Sequence, residues 1–278
     1  MKNPEQKLPL HDLNSNETPF FVRDISYSNE YDFTQKHRHN YYEIIFFETG
    51  GGKQLIDFEE YEVKDTACYI VHPNQIHLLN RAPGSKGKLI QFRSESIISP
   101  NLVTKLRERI WDGVGGVLLE NNQVLFDSLK ALLDKFDVKS ENERNVHLLQ
   151  VLLFDLLSNT KQKSKPVTHN SDFNQFIQLV DVHFREQHSV YFYLKELNFS
   201  ERRLGALSKG HLGMSPLQAI HHRLILEIKR LLLFGAESHK EIAYSLGFDS
   251  PSSFSSFVKT RTEMSPSELQ YALEEIHK

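Results

Sequence analysis

The chain lacks several features that mark common classes of protein. It has one cysteine in 278 residues, Cys68, so no disulfide can form within it and a reducing compartment is expected. It has no run of about 18 apolar residues of the kind that crosses a membrane. Its beginning, MKNPEQKLPL, has no apolar core of a signal peptide. These absences predict a cytoplasmic protein that is neither exported nor bound in a membrane.

A surplus of positive charge is also missing. Lys and Arg number 33 against 36 Asp and Glu, which gives a net charge of −3 at pH 7. The whole chain therefore has no general attraction for nucleic acid, and any such surface must be local. The sequence also lacks a phosphate-binding glycine loop, a serine-histidine-acid spacing and a zinc-binding cysteine cluster. We therefore expect a protein that is not an enzyme of these classes.

Residues 20 to 93 have the pattern of β-structure. The runs rich in β-branched and aromatic residues are Tyr41–Glu48, Lys53–Val63, Ala67–His72 and Lys88–Arg93. Turn-forming sequences such as TGGG and NRAPGSKG separate these runs. Many short strands in succession indicate a barrel or a sandwich.

After Leu102 the apolar residues recur at helical spacing, and residues 122–136 and 141–159 are predicted to form helices. The second of these helices has two apolar stripes, so one can cover the barrel while the other meets a second copy of the chain. We therefore predict a homodimer formed through the helices at 122–159. The stripes are Val146, Leu149, Leu153 and Leu156, and Leu148, Val151 and Leu152.

A polar stretch, SNTKQKSKPVTHNSD, then separates two kinds of pattern. It contains a proline and has no periodicity, which is typical of an interdomain linker, and everything after it has helical periodicity. The sequence therefore predicts an α+β protein of two domains. The domains are a β-barrel with its following helices in residues 1–160, a linker in 161–172 and an all-helical domain in 173–278.

Two similar octets, KGHLGMSP at 209–216 and KTRTEMSP at 259–266, lie in the helical domain. Each ends in Ser-Pro with Gln or Glu two positions later, which is the pattern of a capping box that begins a helix. Two short helices with a tight turn between them are predicted upstream of each octet. A helix-turn-helix unit is thus predicted twice, and the apolar segment LQAIHHRLILEIKRLLLFG joins the two units as a long helix.

The second helix of each unit is predicted to have a small or basic outward face without acids. Such a face suits approach to the phosphates and base edges of double-stranded DNA. The residues predicted to point inward are Leu204 and Leu207, and Phe254, Phe257 and Val258. The residues predicted to contact DNA are Arg202, Arg203, Gly205, Ala206, Lys209, Ser252, Ser253, Ser255, Ser256, Lys259 and Arg261. Among these, Arg202 is the strongest candidate for a guanine contact.

With these motifs, residues 180–272 resemble the DNA-binding domain of the AraC/XylS family of transcriptional regulators, most specifically in KEIAYSLGFDSPSSFSSFVK and the following MSP. The resemblance implies two helix-turn-helix units on a long helix, with RNA polymerase as a further partner. It also implies a cupin-like N-terminal barrel that binds a small-molecule effector and dimerises. Six positions depart from the family pattern, among them Glu263, which replaces a glycine that ends a helix, and Ser256, which replaces a common arginine. The others are Leu194, Ser208, Ile228 and Val258.

The segment HRHNYYEIIFFETG at 37–50 resembles the first metal-binding motif of the cupins, and HPNQIHLLN at 72–80 is similar to the second motif with one residue missing. On one extended strand His37, His39 and Glu43 would point to one face. We expect an effector pocket with His37, His39, Tyr41, Glu43 and His77, and with neither a metal ion nor another cofactor. The alternative is a metal ion on His37, His39, Glu43 and His77, in a metal-dependent cupin enzyme fused to a DNA-binding module.

Overall fold

The computed structural model of the protein describes residues 10–12, 20–25, 35–111, 116–119, 122–136, 143–159, 171–235 and 237–276. The chain divides into two compact units, with the boundary between Lys163 and Ser164. The predicted linker lies at this division. Its residues 161–170 are outside the described residues, while Ser171 and Asp172 already belong to the first helix of the C-terminal unit.

The N-terminal unit contains two five-stranded sheets. Its strands are β1 (Leu10–His11), β2 (Phe20–Asp24), β3 (His37–His39), β4 (Tyr42–Thr49), β5 (Gly52–Ile56), β6 (Glu59–Glu62), β7 (Ala67–Val71), β8 (Ile76–Arg81), β9 (Lys86–Phe92) and β10 (Val117–Leu119). The first sheet has the order β1-β3-β8-β5-β6 and the second has the order β10-β7-β4-β9-β2. The paired strands are antiparallel except β1 and β3.

Strand β4 is buried on both faces. Its residues Ile45 and Phe47 pack with Leu79 of the first sheet, whereas Ile44 and Phe46 pack against the helices that follow the strands. The second sheet therefore lies in the middle of the unit, which explains the near-continuous apolar run of β4.

The prediction of a single strand over residues 53–63 was wrong. The run Lys53–Val63 forms two strands, β5 and β6, because the chain turns at Asp57, whose φ of 51° lies in the left-handed region. Asp57 also stabilises the loop between β7 and β8, since its carboxylate accepts bonds from the side chain of Gln75 at 2.8 Å and the amide of Ile76 at 3.1 Å. Strand β8, which carries His77, was missing from the predicted runs.

Three helices cover the outer face of the second sheet: α1 (Pro100–Trp111), α2 (Gln123–Leu133) and α3 (Glu143–Asn159). The stripe of Leu149, Leu153 and Leu156 is buried in the core, as predicted. Leu152 is buried there too and is no part of a second, outward stripe. Leu148 is partly buried against the same core, so Val151, at 49% exposed, is the one residue of the predicted outward stripe at the surface. Phe154, which was not in that stripe, is 58% exposed.

The C-terminal unit is all helical. Its helices are α4 (Ser171–His183), α5 (Val190–Leu197), α6 (Glu201–Leu212), α7 (Pro216–Phe234), α8 (His239–Ser245), α9 (Pro251–Thr262) and α10 (Pro266–Ile276). The long helix α7 packs against α4, α5, α6, α8 and α10, so it is the scaffold of the unit. Within the described part of the chain, no helix has both the length and the apolar character that crossing a membrane requires.

Serines are the N-caps of α5, α6, α7, α8 and α9, and the capping box that the first octet predicts is present at Ser215. Ser215, Ser238 and Ser250 each form a complete capping box, in which the serine and the third helical residue bond each other's backbone amides. Ser200 accepts a bond from the amide of Arg203, whereas Ser189 is an N-cap without a side-chain bond. The helix boundaries are therefore fixed largely by local sequence.

Candidate DNA-binding surface and effector site

The two helix-turn-helix units have closely similar turns. Helix α5 leads into α6 through Asn198 at φ 52°, and α8 leads into α9 through Gly247 at φ 72°. In each unit the next residue, Phe199 or Phe248, donates its amide to the carbonyl five residues earlier at 3.0 Å. A single residue in the left-handed region lets the chain reverse while these carbonyls stay bonded. The two turns are therefore one structural motif used twice.

The second turn is one residue longer than the first. The N-cap Ser200 follows Asn198 by two positions, whereas the N-cap Ser250 follows Gly247 by three, with Asp249 as the added residue. The offset between the two units is therefore 49 residues before the turn and 50 after it, as the octets also have it. From the start of the second helix to the start of the helix that follows it, the two units therefore have the same number of residues.

The predicted outward faces of α6 and α9 are at the surface. Leu204, Phe254 and Val258 are 0% exposed, which confirms their inward position. Leu207 and Phe257 are only half-buried. The fully buried partner of Leu204 on α6 is Ser208, whose hydroxyl donates to the carbonyl of Met214 at 2.8 Å. The predicted DNA contacts at the surface are Arg202, Arg203, Ala206, Lys209, Ser252, Ser253, Ser255, Ser256, Lys259 and Arg261, with Gly205 half-buried.

Three of these side chains are engaged within the domain, and one of them is Arg261, whose guanidinium lies 5.9 Å from the ring centroid of Phe257. The guanidinium of Arg203 pairs with the carboxylate of Asp172 and lies 4.0 Å from the ring centroid of Phe199. The hydroxyl of Ser253 accepts a bond from the amide of Ser250 at 3.2 Å in the capping box and donates to the carbonyl of Ser250 at 2.8 Å. By contrast, Arg202, Lys209 and Lys259 make no ion pair with any residue that the structure describes. These three cations remain available to an external anion.

Gly205 has no role in the packing of the domain. A Cβ added at this position would meet no atom within 4 Å, and the same holds for Gly210 on the same helix. Glycine destabilises a helix interior by about 1 kcal/mol relative to alanine. The internal contacts of the domain therefore give no reason for this loss of stability at Gly205.

A buried network of charges lies along α7 and was not predicted as a group. The carboxylate of Glu227 accepts a bond from Arg185 at 2.6 Å and lies 3.4 Å from the guanidinium of Arg230. Arg223 bonds Asp181 of α4 at 3.1 Å. The spacing of 223, 227 and 230 on one helix face was the signal available in the sequence. The network joins α4 and the segment after it to α7.

The polar residues of the N-terminal motif come from different sheets. His37 and His39 lie in β3 of the first sheet, and Glu43 lies in β4 of the second, so the single extended strand predicted for them was wrong. A bend at Asn40 and Tyr41 takes the chain from one sheet to the other. The three side chains are nevertheless all buried inside the barrel, next to His77, which pairs with His37 across β3 and β8.

Three of the predicted residues form a compact cluster. Nitrogen or carboxylate atoms of His39, Glu43 and His77 all lie within 4.8 Å of one another. His37 is outside this group of three, although its ring centroid is 4.2 Å from that of His77. Tyr41 stacks on His39 with 4.1 Å between ring centroids. The five predicted effector residues are therefore neighbours at one end of the barrel interior.

Burial controls the charge of this cluster. It lowers the pKa of His39 to about 3 and the pKa of His77 well below its usual value, so both rings are neutral near pH 7. Burial also raises the pKa of Glu43 to about 7, although the bond from the Gln91 amide at 2.8 Å opposes this effect. The cluster therefore offers neutral imidazoles beside a carboxyl group that is easily neutralised.

A barrel with buried polar groups and a helical domain with two helix-turn-helix units define a DNA-binding regulator with a separate sensing domain. The family model named AraC-like ligand binding domain matches residues 22–157, and the model named Helix-turn-helix domain matches residues 193–271. The chain therefore belongs to the AraC family of transcriptional regulators, with a ligand-binding domain and a helix-turn-helix DNA-binding domain.

Individual relatives are distant. The transcriptional activator RhaS of Salmonella typhimurium is 21% identical over 243 residues, which are 84% of this chain and 87% of RhaS. The crystal structure of ToxT from Vibrio cholerae is 18% identical, covers 91% of this chain and 97% of ToxT, and has a TM-score of 0.40. ToxT with a bound unsaturated fatty acid is 19% identical and covers 93% of this chain and 97% of ToxT, with a TM-score of 0.39.

Proposed function

We propose that this regulator binds a specific DNA sequence through the outward faces of α6 and α9, and that a small molecule in the barrel controls this binding. The observation that carries the proposal is the pair of exposed faces, with no acid among the predicted contact residues, on helices that bury Leu204, Phe254 and Val258 completely. The proposed division of labour is sensing and dimerisation in residues 1–160, a linker in 161–172 and DNA binding in 173–278.

The two faces are chemically unequal, and we assign them different tasks. Helix α6 exposes Arg202 and Lys209, and a guanidinium can bond the O6 and N7 atoms of guanine with two parallel bonds. Helix α9 exposes mainly serines, followed by Lys259 and Arg261, which suit phosphate contacts and short water-mediated bonds. Base recognition is therefore concentrated in the first unit, while the second mainly fixes the register of the domain on the duplex.

The effector site is the polar end of the barrel interior, with His37, His39, Tyr41, Glu43 and His77. Most other inward residues of the barrel are apolar, such as Ile45, Phe47 and Leu89. A ligand with an apolar body and one polar group would match both regions, because a few placed polar groups fix orientation while apolar contact supplies affinity.

A second copy of this chain is the proposed partner of the exposed face of α3. Val151 and Phe154 are large apolar residues at the surface, and Lys105 of α1 lies 5.9 Å from the ring centroid of Phe154. A homodimer through 122–159 would present two DNA-binding domains to two half-sites. We further propose a cytoplasmic location, and RNA polymerase as a partner at the promoter.

The alternative function, a metal-dependent cupin enzyme fused to a DNA-binding module, is less well supported. The relatives that match over most of the chain are regulators of transcription, among them RhaS. The barrel cluster His39, Glu43 and His77 is the one observation that favours metal chemistry, and it is compatible with a regulator that binds a metal ion. We therefore propose that the chain is not an enzyme.

Salt-titrated gel shifts with DNA from the promoter region of its own gene test the DNA-binding assignment. We expect Arg202→Ala to weaken binding by roughly 10-fold to 100-fold, because one good bidentate base contact contributes about 1–3 kcal/mol. Arg203→Ala is the matched control, since it removes the same charge from the next position but the arginine that it removes is paired with Asp172. It should weaken binding far less.

Equal affinities for wild type and Arg202→Ala would refute the assigned reading face.

A second experiment tests the effector site of the barrel. The melting temperature of the full chain is measured with sugars, aromatic acids and fatty acids. We expect one of these classes to raise it, since a ligand at 100 times its Kd stabilises a protein by about 2.7 kcal/mol. A stabilising ligand that leaves DNA affinity unchanged would refute control by the effector.

A further inference from the structure

A cluster of buried ligand atoms ties the two sheets of the barrel together. His39 is in β3 and His77 in β8, both in the first sheet, and Glu43 is in β4 of the second. The candidate ligand atoms of these three residues lie within 4.8 Å of one another. We infer that His39, Glu43 and His77 bind one divalent transition-metal ion inside the barrel.

The environment of His39 selects the nitrogen that a metal ion needs. Its Nδ1 lies 2.7 Å from the carbonyl oxygen of Tyr41, and a carbonyl can only accept a hydrogen bond. Nδ1 of the neutral ring must therefore carry the proton, which leaves the lone pair on Nε2. Nε2 is buried and has no hydrogen-bond partner among the described residues. A backbone carbonyl that holds the far nitrogen is the usual support of a metal-binding imidazole.

Glu43 and His77 complete the arrangement. One carboxylate oxygen of Glu43, Oε2, accepts a bond from Gln91 at 2.8 Å, while the other, Oε1, lies 4.0 Å from Nδ1 of His77. Neither ring nitrogen of His77 has a hydrogen-bond partner in the part of the chain that the structure describes. A distance of 4.0 Å is too long for a hydrogen bond and leaves room for an ion between the two groups.

The donor set indicates the class of ion. Two imidazole nitrogens and one carboxylate favour zinc, iron, cobalt or nickel over calcium and magnesium, which prefer oxygen ligands. Both rings are buried, and a metal ion binds an imidazole in its neutral form. Three protein ligands leave at least one coordination position for water or for an oxygen atom of an effector.

Binding of the ion would also stabilise the structure of the barrel. Because its ligands come from both sheets, binding would crosslink β3 and β8 to β4 at the polar end of the barrel. The inference adds a metal ion to the proposed effector site. Only the regulatory role of that ion rests on the proposed function. Metal binding itself is measured without DNA, so the two proposals can fail separately.

The test uses the full chain, purified without a metal-binding tag, stripped with a chelator and titrated with Co²⁺ under visible absorption spectroscopy. Elemental analysis after Zn²⁺ loading and dialysis gives the stoichiometry. We expect one equivalent of metal and a higher melting temperature in its presence. The variants Glu43→Gln and His39→Gln should weaken Co²⁺ binding on the order of 100-fold or more, since each lacks a direct ligand.

Glu43→Gln also distinguishes the loss of a metal ligand from a failure of the variant to fold. The new amide keeps an oxygen for Gln91 and offers an N–H group toward His77, so the metal-free variant should melt no lower than the metal-free wild type. His72→Gln is the matched control, because His72 is a buried histidine of the same barrel outside the cluster. It should bind metal as wild type does.

The inference is overturned if wild type retains no more metal than Glu43→Gln, or if His72→Gln loses the metal as completely as His39→Gln. Gel shifts on the same samples separate the two proposals. Normal metal uptake without specific DNA binding would refute the proposed function and leave the metal site standing. Specific DNA binding without metal uptake would do the reverse.

Discussion

Replacing Gly205 of α6 with alanine should make the protein more stable and a poorer DNA binder at once. The helix gains about 1 kcal/mol, because alanine has a higher helix propensity than glycine and the added methyl group meets no atom within 4 Å. A gain of this size raises the melting temperature of a domain of about 100 residues by roughly 4–8 °C. The gain should be visible in thermal denaturation of the full chain.

The expected loss of DNA affinity has a separate cause. Gly205 is flanked on the surface by Arg202, Ala206 and Lys209, so its bare backbone lies at the centre of the proposed reading face. If this backbone approaches a base edge or a sugar, a methyl group would separate the surfaces and weaken several neighbouring contacts. We expect at least a tenfold loss in gel shifts, which corresponds to about 1.4 kcal/mol.

Gly210→Ala is the control for both measurements. Gly210 is exposed on the same helix, also has empty space where a methyl group would be added, and lies at the flank of the proposed face. It should give the same rise in melting temperature with unchanged DNA affinity. If Gly205→Ala also binds DNA as tightly as wild type, the reasoning that glycine is present for close approach to DNA is wrong.

Two further predictions concern a helix end and the surface of the barrel domain. Glu263 ends α9 at φ 63°, where a residue with a side chain is strained by about 1–2 kcal/mol, so Glu263→Gly should raise the free energy of unfolding in urea by about 1 kcal/mol. No gain would mean that the glutamate side chain compensates for the strain. Phe154→Asp should shift sedimentation from dimer to monomer and leave the melting temperature of the domain nearly unchanged, because the ring is 58% exposed. A dimer that persists would place the interface elsewhere.

The helical half of the protein was predictable because its signals are local. A Ser-Pro pair with Gln218 three positions after the serine defines a helix start in any context, and the structure has a complete capping box there. The octets therefore located both units. The inward position of Ser208 could not be predicted in this way, because its burial depends on a bond to the carbonyl of Met214 across the exit of α6.

The barrel half was less predictable because its contacts are distant in sequence. The cluster joins Glu43 to Gln91 and to His77, and strand pairing of this kind leaves no fixed spacing along the chain. The sequence identified the histidines and Glu43, but the bend at Asn40 and Tyr41, which places Glu43 in the other sheet, has no strong turn signal. The charged residue Glu227 was missed for a related reason, since its partner Arg185 lies outside α7.

The buried charges of α7 have a consequence for the DNA that this protein can use. Asp172 in α4 holds Arg203 of the first unit, Asp181 and Arg185 anchor to α7, and the carbonyl of Arg185 lies 2.6 Å from where a side chain on Gly247 would begin. Both helix-turn-helix units are therefore packed against the same part of the domain, formed by α4, the segment after it and α7. Inserting one base pair between the two contacted segments moves them about 3.4 Å apart and rotates one by about 35°. We therefore expect the protein to tolerate a base substitution in its binding site better than a change in the spacing between the two contacted segments.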